Sequence, residues 1–287
     1  MCDDDIHPGL VHDPRLSRRA FGLLTVAATG VATVARADDT VEEKDVEVKT
    51  PDGVADAALF YPKAKGKYPA VLLWPDVMSL RPVFRDMGRR LAAAGYVVLV
   101  PNLYYRVKKA PVVEGTFNFA NPDDRAKLTP LRASVTTEGT FKDAAAYIAF
   151  LDAQAKTDKA KKAGVQGYCM GGPLSFRTAG AVPARIGAVA TFHGGGLVTD
   201  KDDNPALLIP KTRASYLIEI ADNDDKQDPT AKDKLKAAFD AAKLSAQVEV
   251  FAGCAHGWTV KGSQVYNEEG AERAWTNLLA LYKKALV

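Results

Sequence analysis

The stretch Gly164-Val165-Gln166-Gly167-Tyr168-Cys169-Met170-Gly171-Gly172 constrains this chain more than any other. It reads as the end of a strand, a sharp turn carrying one thiol, and the start of a helix. The turn forces its central residue into a strained backbone conformation. Gly167 and Gly171 flank Cys169 symmetrically and remove the side chains that would clash there. The following helix aims its free N–H groups and positive dipole end at the sulfur, which favours a thiolate. A G-x-C-x-G pattern also arises by chance in glycine-rich turns, so its meaning rests on the rest of the chain.

Upstream, charged and apolar residues alternate from Lys44 to Thr50, as in a half-buried strand. Pro51-Asp52-Gly53 is a turn signal, and Ala55 to Tyr61 returns as a second strand of a hairpin. Pro69 to Trp74 and Tyr96 to Val100 are short unbroken apolar runs, expected of parallel strands buried on both faces. Between them, Val83, Phe84, Met87, Leu91 and Ala94 recur at helical spacing, and Gly95 ends the pattern. Phe141 to Ala155 is a second helix. Gly164 to Tyr168 enters the elbow and Gly172 to Ala179 leaves it. Ile186 to Phe192, Tyr216 to Ile220 and Gln247 to Phe251 are further strands. Helices are expected at Asp228 to Ala242, with Pro229 in the first turn, and at Glu268 to Leu286. Strands alternating with helices imply a mostly parallel sheet covered on both faces, preceded by an antiparallel hairpin. The region 108–134 has little periodicity and is long for a loop, so a partial lid is the preferred reading.

Composition narrows the partners. A net charge of +3, with basic residues spread along the chain, gives no footprint for nucleic acid. Beyond the N-terminus no apolar run is long enough to cross a membrane, so none is expected to anchor the mature form. Residues 1–37 read as a twin-arginine export signal. Arg18-Arg19 begins the pattern, a weakly apolar stretch from Ala20 to Ala35 follows, and Ala35-Arg36-Ala37 offers a cleavage site. The expectation is a mature single domain over 38–287 in the bacterial periplasm, with the twin-arginine machinery as export partner. Of the three cysteines, Cys2 lies in the leader, leaving Cys169 and Cys254, expected as free thiols. No metal-ligand spacing occurs, and the chemistry read here calls for no cofactor.

A thiol nucleophile needs a base, and the base needs an orienting group. His256 lies in the glycine-bracketed loop after the last strand, whereas His193 directly follows the strand after the elbow. An α/β-hydrolase fold places nucleophile, acid and histidine in that chain order. His256 satisfies it, and His193 does not because it precedes the candidate acids. His193 therefore reads as structural or pocket-lining. The acid falls in Ala221-Asp222-Asn223-Asp224-Asp225, where register favours Asp224 with Asp225 second. The N–H groups of Met170 and Val77 are placed for an oxyanion hole.

These pieces resemble the dienelactone hydrolase family. The resemblance is carried by Gly167-Tyr168-Cys169-Met170-Gly171-Gly172, by the order Cys169, Asp224, His256, and by two further blocks. These are Trp74-Pro75-Asp76-Val77, followed by Leu91-Ala92-Ala93-Ala94-Gly95-Tyr96, and Pro101-Asn102-Leu103-Tyr104-Tyr105-Arg106. The resemblance implies an α/β-hydrolase fold and attack by cysteine on an activated ester or lactone carbonyl. It also implies a thiol-tuning carboxylate at Asp76, where the family has the longer glutamate. Arg106 matches an arginine that binds the substrate carboxylate, but a second such arginine is replaced by Val260, with Lys261 next. That departure separates the thiol chemistry from recognition of the family's own acid substrate. Trp258 and Trp74 suggest a more aromatic pocket. The leading expectation is thus a hydrolase of small esters or lactones. A non-catalytic exported solute-binding protein on the same fold is its rival, and a redox pairing of Cys169 with Cys254 a third.

Overall fold

A hairpin of two ten-residue strands opens the domain. Strand β1 (Val41–Thr50) pairs antiparallel with β2 (Gly53–Pro62), joined at the Pro51-Asp52 turn. The computed structural model of the protein describes residues 11–12 and 40–287. The Arg18-Arg19 pair and the cleavage site therefore lie outside the described residues. Residues Val11–His12, inside the expected leader, pair with Phe117–Asn118.

Six further strands complete an eight-stranded sheet: β3 (Ala70–Trp74), β4 (Val97–Pro101), β5 (Ala163–Tyr168), β6 (Ile186–Phe192), β7 (Ser215–Ala221) and β8 (Ala246–Phe251). Their spatial order is β1-β2-β4-β3-β5-β6-β7-β8. The pair β2–β4 is antiparallel, and every pairing from β4 to β8 is parallel. Strands β3, β4 and β5 are buried along their whole length, which is why the first two read as unbroken apolar runs. This is an α/β-hydrolase fold, as expected.

Helices cover both faces. On one side, α3 (Thr137–Asp152), α4 (Gly171–Ala181) and α6 (Ala231–Ala242) place Tyr147, Ile148, Leu174, Phe176 and Phe239 in one apolar cluster. On the other, α1 (Pro82–Ala93) and α7 (Glu268–Ala285) contribute Phe84, Leu91, Leu278 and Tyr282 to a second. The chain steps from β3 outward to β4, then returns across β3 to β5. The strand order thus reverses between β3 and β5, and it is at such a reversal that sheets of this kind form a ligand crevice beyond the carboxyl ends of their strands.

Three local expectations need correction. The region 108–134 contains a helix, α2 (Pro122–Ala133). Its start carries good signals: the Asn121 side chain caps the Asp123 N–H, Pro122 opens the first turn, and two aspartates follow. Pro130 within it and an apolar side reduced to Leu128 and Leu131 hide the period. Phe117, Phe119, Leu128 and Leu131 anchor this segment in the core. Second, the acidic run after β7 is a short helix, α5 (Asp222–Gln227), rather than a loop. Third, α6 starts at Ala231 rather than Asp228, because the Asp228 carboxylate accepts from the Thr230 N–H and hydroxyl and shapes a turn there.

Candidate active site

Cys169 stands where β5 ends, beside that reversal of strand order. Its φ is +51°, a left-handed conformation that costs a non-glycine residue energy and is held by surrounding bonds. The Cys169 N–H donates to the Phe192 carbonyl at 3.1 Å, and its own carbonyl accepts from Gly172 N–H at 3.0 Å. The two glycines are required by contact. A Cβ at Gly167 would lie 1.9 Å from the Gly171 carbonyl oxygen, and one at Gly171 would lie 2.5 Å from that of Trp74. The elbow is therefore pressed against the end of β3.

His256, in the turn after β8, is buried, and its N–H donates to Asn223 Oδ1 at 2.7 Å. Its Nδ1 lies 2.7 Å from Asp224 Oδ2. The ring also hydrogen-bonds the Cys169 sulfur, which leaves Nε2 as the nitrogen facing the thiol. Burial opposes charge on this ring. The neighbouring Cys169 sulfur and the Asp224 carboxylate outweigh it and raise the imidazole pKa well above its usual value. The structure thus brings Cys169, His256 and Asp224 into one hydrogen-bonded chain. Asp225 points elsewhere, with both carboxylate oxygens 2.7 Å from Lys232 Nζ. The α5 turn settles the register: one residue along, the side chain leaves the histidine.

His193 lies beneath His256, with ring centroids 4.8 Å apart. Its Nε2 is 2.9 Å from the Thr259 hydroxyl. Burial, then the positive charge of His256, push its pKa well below the usual value, so it stays neutral. Trp258 is wholly buried, stacked on Phe251 and edge-on to His193. It supports the histidines from the core instead of lining a pocket. Trp74 is likewise core, its indole N–H donating to Thr178 at 2.9 Å. Cys254 is a free thiol, as is Cys169, and it packs against Gly270 of α7.

The loop after β3 carries Asp76 and Val77. Asp76 Oδ1 accepts the Met78 N–H at 2.9 Å, and the carboxylate grips Arg81 at 2.5 and 2.7 Å. Three of its four lone-pair positions are thereby committed to Met78 and Arg81, so Asp76 is tied to its own loop and offers one remaining position on Oδ2. Neither the Val77 nor the Met170 N–H is engaged by another group of the described residues. Arg106 is also committed. It donates twice to Asp143, at 2.8 and 2.9 Å, and to Asp52 at 2.8 and 3.3 Å. It stacks on Tyr105 as well. Val260, at the other implied arginine position, is buried. Sequence reasoning missed Arg81 and Tyr104 as partners of this loop. Only the Asp-x-x-x-x-Arg spacing hinted at the first.

One buried carboxyl stands apart. Glu219 on β7 is fully buried and accepts from Asn277 Nδ2 at 2.9 Å, while its second oxygen has no partner among the described residues. Burial, only partly offset by Asn277 and Arg273, pushes its pKa up to about 7. Its usual value is 4.5. Between these values the folded chain binds a proton that the unfolded chain has released, so stability falls as pH rises. The loss begins near the unfolded pKa, is complete above the folded one, and totals roughly 3 kcal/mol. Glu219→Gln is expected to flatten this slope. Urea melts at pH 5 and pH 8 measure it, and an unchanged difference between the two pH values overturns the assignment.

The comparisons with known proteins agree with this fold. A protein of Methylorubrum extorquens named "Putative carboxymethylenebutenolidase" is 26% identical over 277 residues, covering 92% of this chain and 91% of its own. The crystal structure of a "Putative Dienelactone Hydrolase" from Klebsiella pneumoniae superposes with a TM-score of 0.73 at 21% identity, over 85% of this chain and 99% of that one. A dienelactone hydrolase from Anabaena variabilis shares the fold at a TM-score of 0.60 and 14% identity, over 86% of this chain and 100% of that one. The dienelactone hydrolase family model matches residues 55–286, from within β2 to the end of α7. That span contains the elbow, the β3 loop and the histidine turn, so this chain belongs to the dienelactone hydrolase family and is a hydrolase.

Proposed function

We propose that the protein hydrolyses ester or lactone bonds of small molecules through Cys169, and that it acts in the periplasm. The observation that carries the chemistry is the hydrogen-bonded chain from Asp224 through His256 to Cys169. Asp224 fixes the ring so that Nε2 meets the sulfur. The Cys169 thiolate attacks the carbonyl carbon, and the carbonyl π pair moves onto oxygen. The Val77 and Met170 N–H groups receive that oxyanion. The intermediate collapses, the C–O bond breaks, and protonated His256 gives its proton to the departing alkoxide. A thioester remains on Cys169. His256, now neutral, takes a proton from water, whose hydroxide attacks the thioester. Collapse releases the carboxylic acid, and the sulfur leaves as thiolate beside the protonated ring. Every step uses groups of this chain and water.

The substrate class we favour is neutral. Arg106 spends four hydrogen bonds on Asp143 and Asp52, and its positive charge is offset by both. A substrate carboxylate would have to displace them. The test is a panel of matched esters and lactones with and without a free carboxylate. Neutral members are expected to be turned over at least as fast, with Arg106→Gln leaving the preference unchanged. A strong preference for the acid that Arg106→Gln abolishes overturns this reading. If none is turned over and Cys169 resists iodoacetamide, the protein is a solute-binding member of the fold. The periplasmic reading rests on Arg18 and Arg19 in the sequence, and N-terminal sequencing of exported protein checks it.

A further inference from the structure

The loop that presents Val77 is held by bonds on nearly every polar group around it. The Asp76 carbonyl accepts the Ser79 N–H at 2.8 Å, and the Met78 N–H is taken by Asp76 Oδ1 at 2.9 Å. The Val77 carbonyl accepts the hydroxyl of Tyr104 at 2.8 Å. Of the polar groups on the two peptide units that flank the Val77 α-carbon, the Val77 N–H is the one that no other group among the described residues engages. The Val77 N–H shares a planar peptide unit with the Asp76 carbonyl, which Ser79 holds, while Tyr104 holds the next unit through the Val77 carbonyl; with the planes on both sides of the Val77 α-carbon fixed, the N–H keeps one direction.

Tyr104 comes from a different part of the sheet, the loop after β4. That loop is itself stitched to the β3 loop. Ser79 Oγ donates to Asn102 Oδ1 at 2.9 Å and accepts the Leu103 N–H at 2.8 Å. The Tyr104 N–H donates to the same Asn102 oxygen at 3.0 Å. The Tyr104 side chain is fully buried, so its hydroxyl has little freedom. That hydroxyl also lies 3.8 Å from the sulfur of Met170. One oxygen atom therefore touches both residues whose N–H groups face the reacting carbonyl, Val77 by its backbone and Met170 by its side chain.

We propose that Tyr104 is a positioning residue that sets the geometry of the oxyanion-binding pair, through its bond to the Val77 carbonyl and its contact with Met170. This rests on the hydrolase reading of the site given above. The hydroxyl never meets the substrate. Its effect is felt where negative charge develops on oxygen, because donors aimed in advance stabilise the transition state without reorganising. A displacement of well under an ångström in one of two donors is enough to slow such a step markedly.

The consequence separates cleanly from thiol reactivity. Alkylation of Cys169 by iodoacetamide forms an S–C bond and expels iodide, with no oxyanion. Acyl transfer, and addition of the thiol to a trifluoromethyl ketone, both place negative charge on a carbonyl oxygen. Tyr104→Phe is expected to lower kcat for an activated ester about 10-fold with KM within about twofold. The dissociation constant of the ketone adduct should rise in parallel, and the alkylation rate should stay unchanged. Replacing Tyr104 by para-aminophenylalanine keeps a donor in place and should restore kcat and ketone affinity. That chain also carries the test if Tyr104→Phe does not fold, since ketone affinity near the native value is required of it. Unchanged kcat and ketone affinity in Tyr104→Phe overturn the proposal. So does an equal fall in all three measurements, which marks a general disturbance. If the native chain neither turns over an ester nor binds the ketone, the hydrolase reading fails instead.

Discussion

Replacing Cys169 by alanine is expected to reduce hydrolysis of small activated esters by at least about 10⁴-fold, to the background rate, with the fold intact. In the proposed mechanism the sulfur forms the acyl intermediate, and without it the remaining donors have no attack to assist. Alanine and cysteine both carry a Cβ, so the left-handed backbone at residue 169 costs each about the same. Circular dichroism and thermal melting should therefore match the native chain. Cys169→Ser tests the nucleophile more finely. It keeps the hydrogen-bonding group and the fold but loses most of the rate. A hydroxyl is a far weaker acid than a thiol, so attack must wait for proton removal by His256. Unchanged turnover in both variants would falsify the mechanism outright.

The second large effect divides two neighbouring aspartates. Asp224→Asn should lower kcat/KM by about 10²–10³, since an amide cannot stabilise the protonated ring and can hold it in the wrong tautomer. Asp225→Asn should leave turnover close to native. Its carboxylate is paired with Lys232 across partly exposed surface, an interaction of about 1 kcal/mol or less. NMR titration gives an independent reading. The His256 pKa is raised partly by its bond to Asp224, so it should fall in Asp224→Asn and hold in Asp225→Asn. Equal losses in the two variants would show that the α5 turn does not choose between them.

Several parts of this arrangement are local in origin and so could be read from the chain. The elbow is one, because a turn with Gly167 and Gly171 around a central thiol permits few backbone paths. The hairpin and the buried strands are others, since each is marked by its own alternation or apolar run. The helix over Pro122–Ala133 was hidden because its weak apolar side is satisfied by the core around Phe117 and Phe119, not by its own period. The short helix over Asp222–Gln227 lacks any buried residue, so no apolar pattern could announce it.

The sequence by itself determined the fold class, the place of a thiol at the elbow and the chain order Cys169, Asp224, His256. These follow from backbone sterics and from periodicities within a few residues. Only the tertiary structure decided which carboxylate meets His256, because a one-residue shift on α5 turns the side chain toward Lys232 instead. It alone decided that Arg106 is held by Asp143 and Asp52, that Asp76 is held by Arg81, and that Trp258 is core. Those outcomes depend on opposite charges and apolar rings from distant segments meeting across the sheet. A charge has no partner in a linear chain until the fold supplies one.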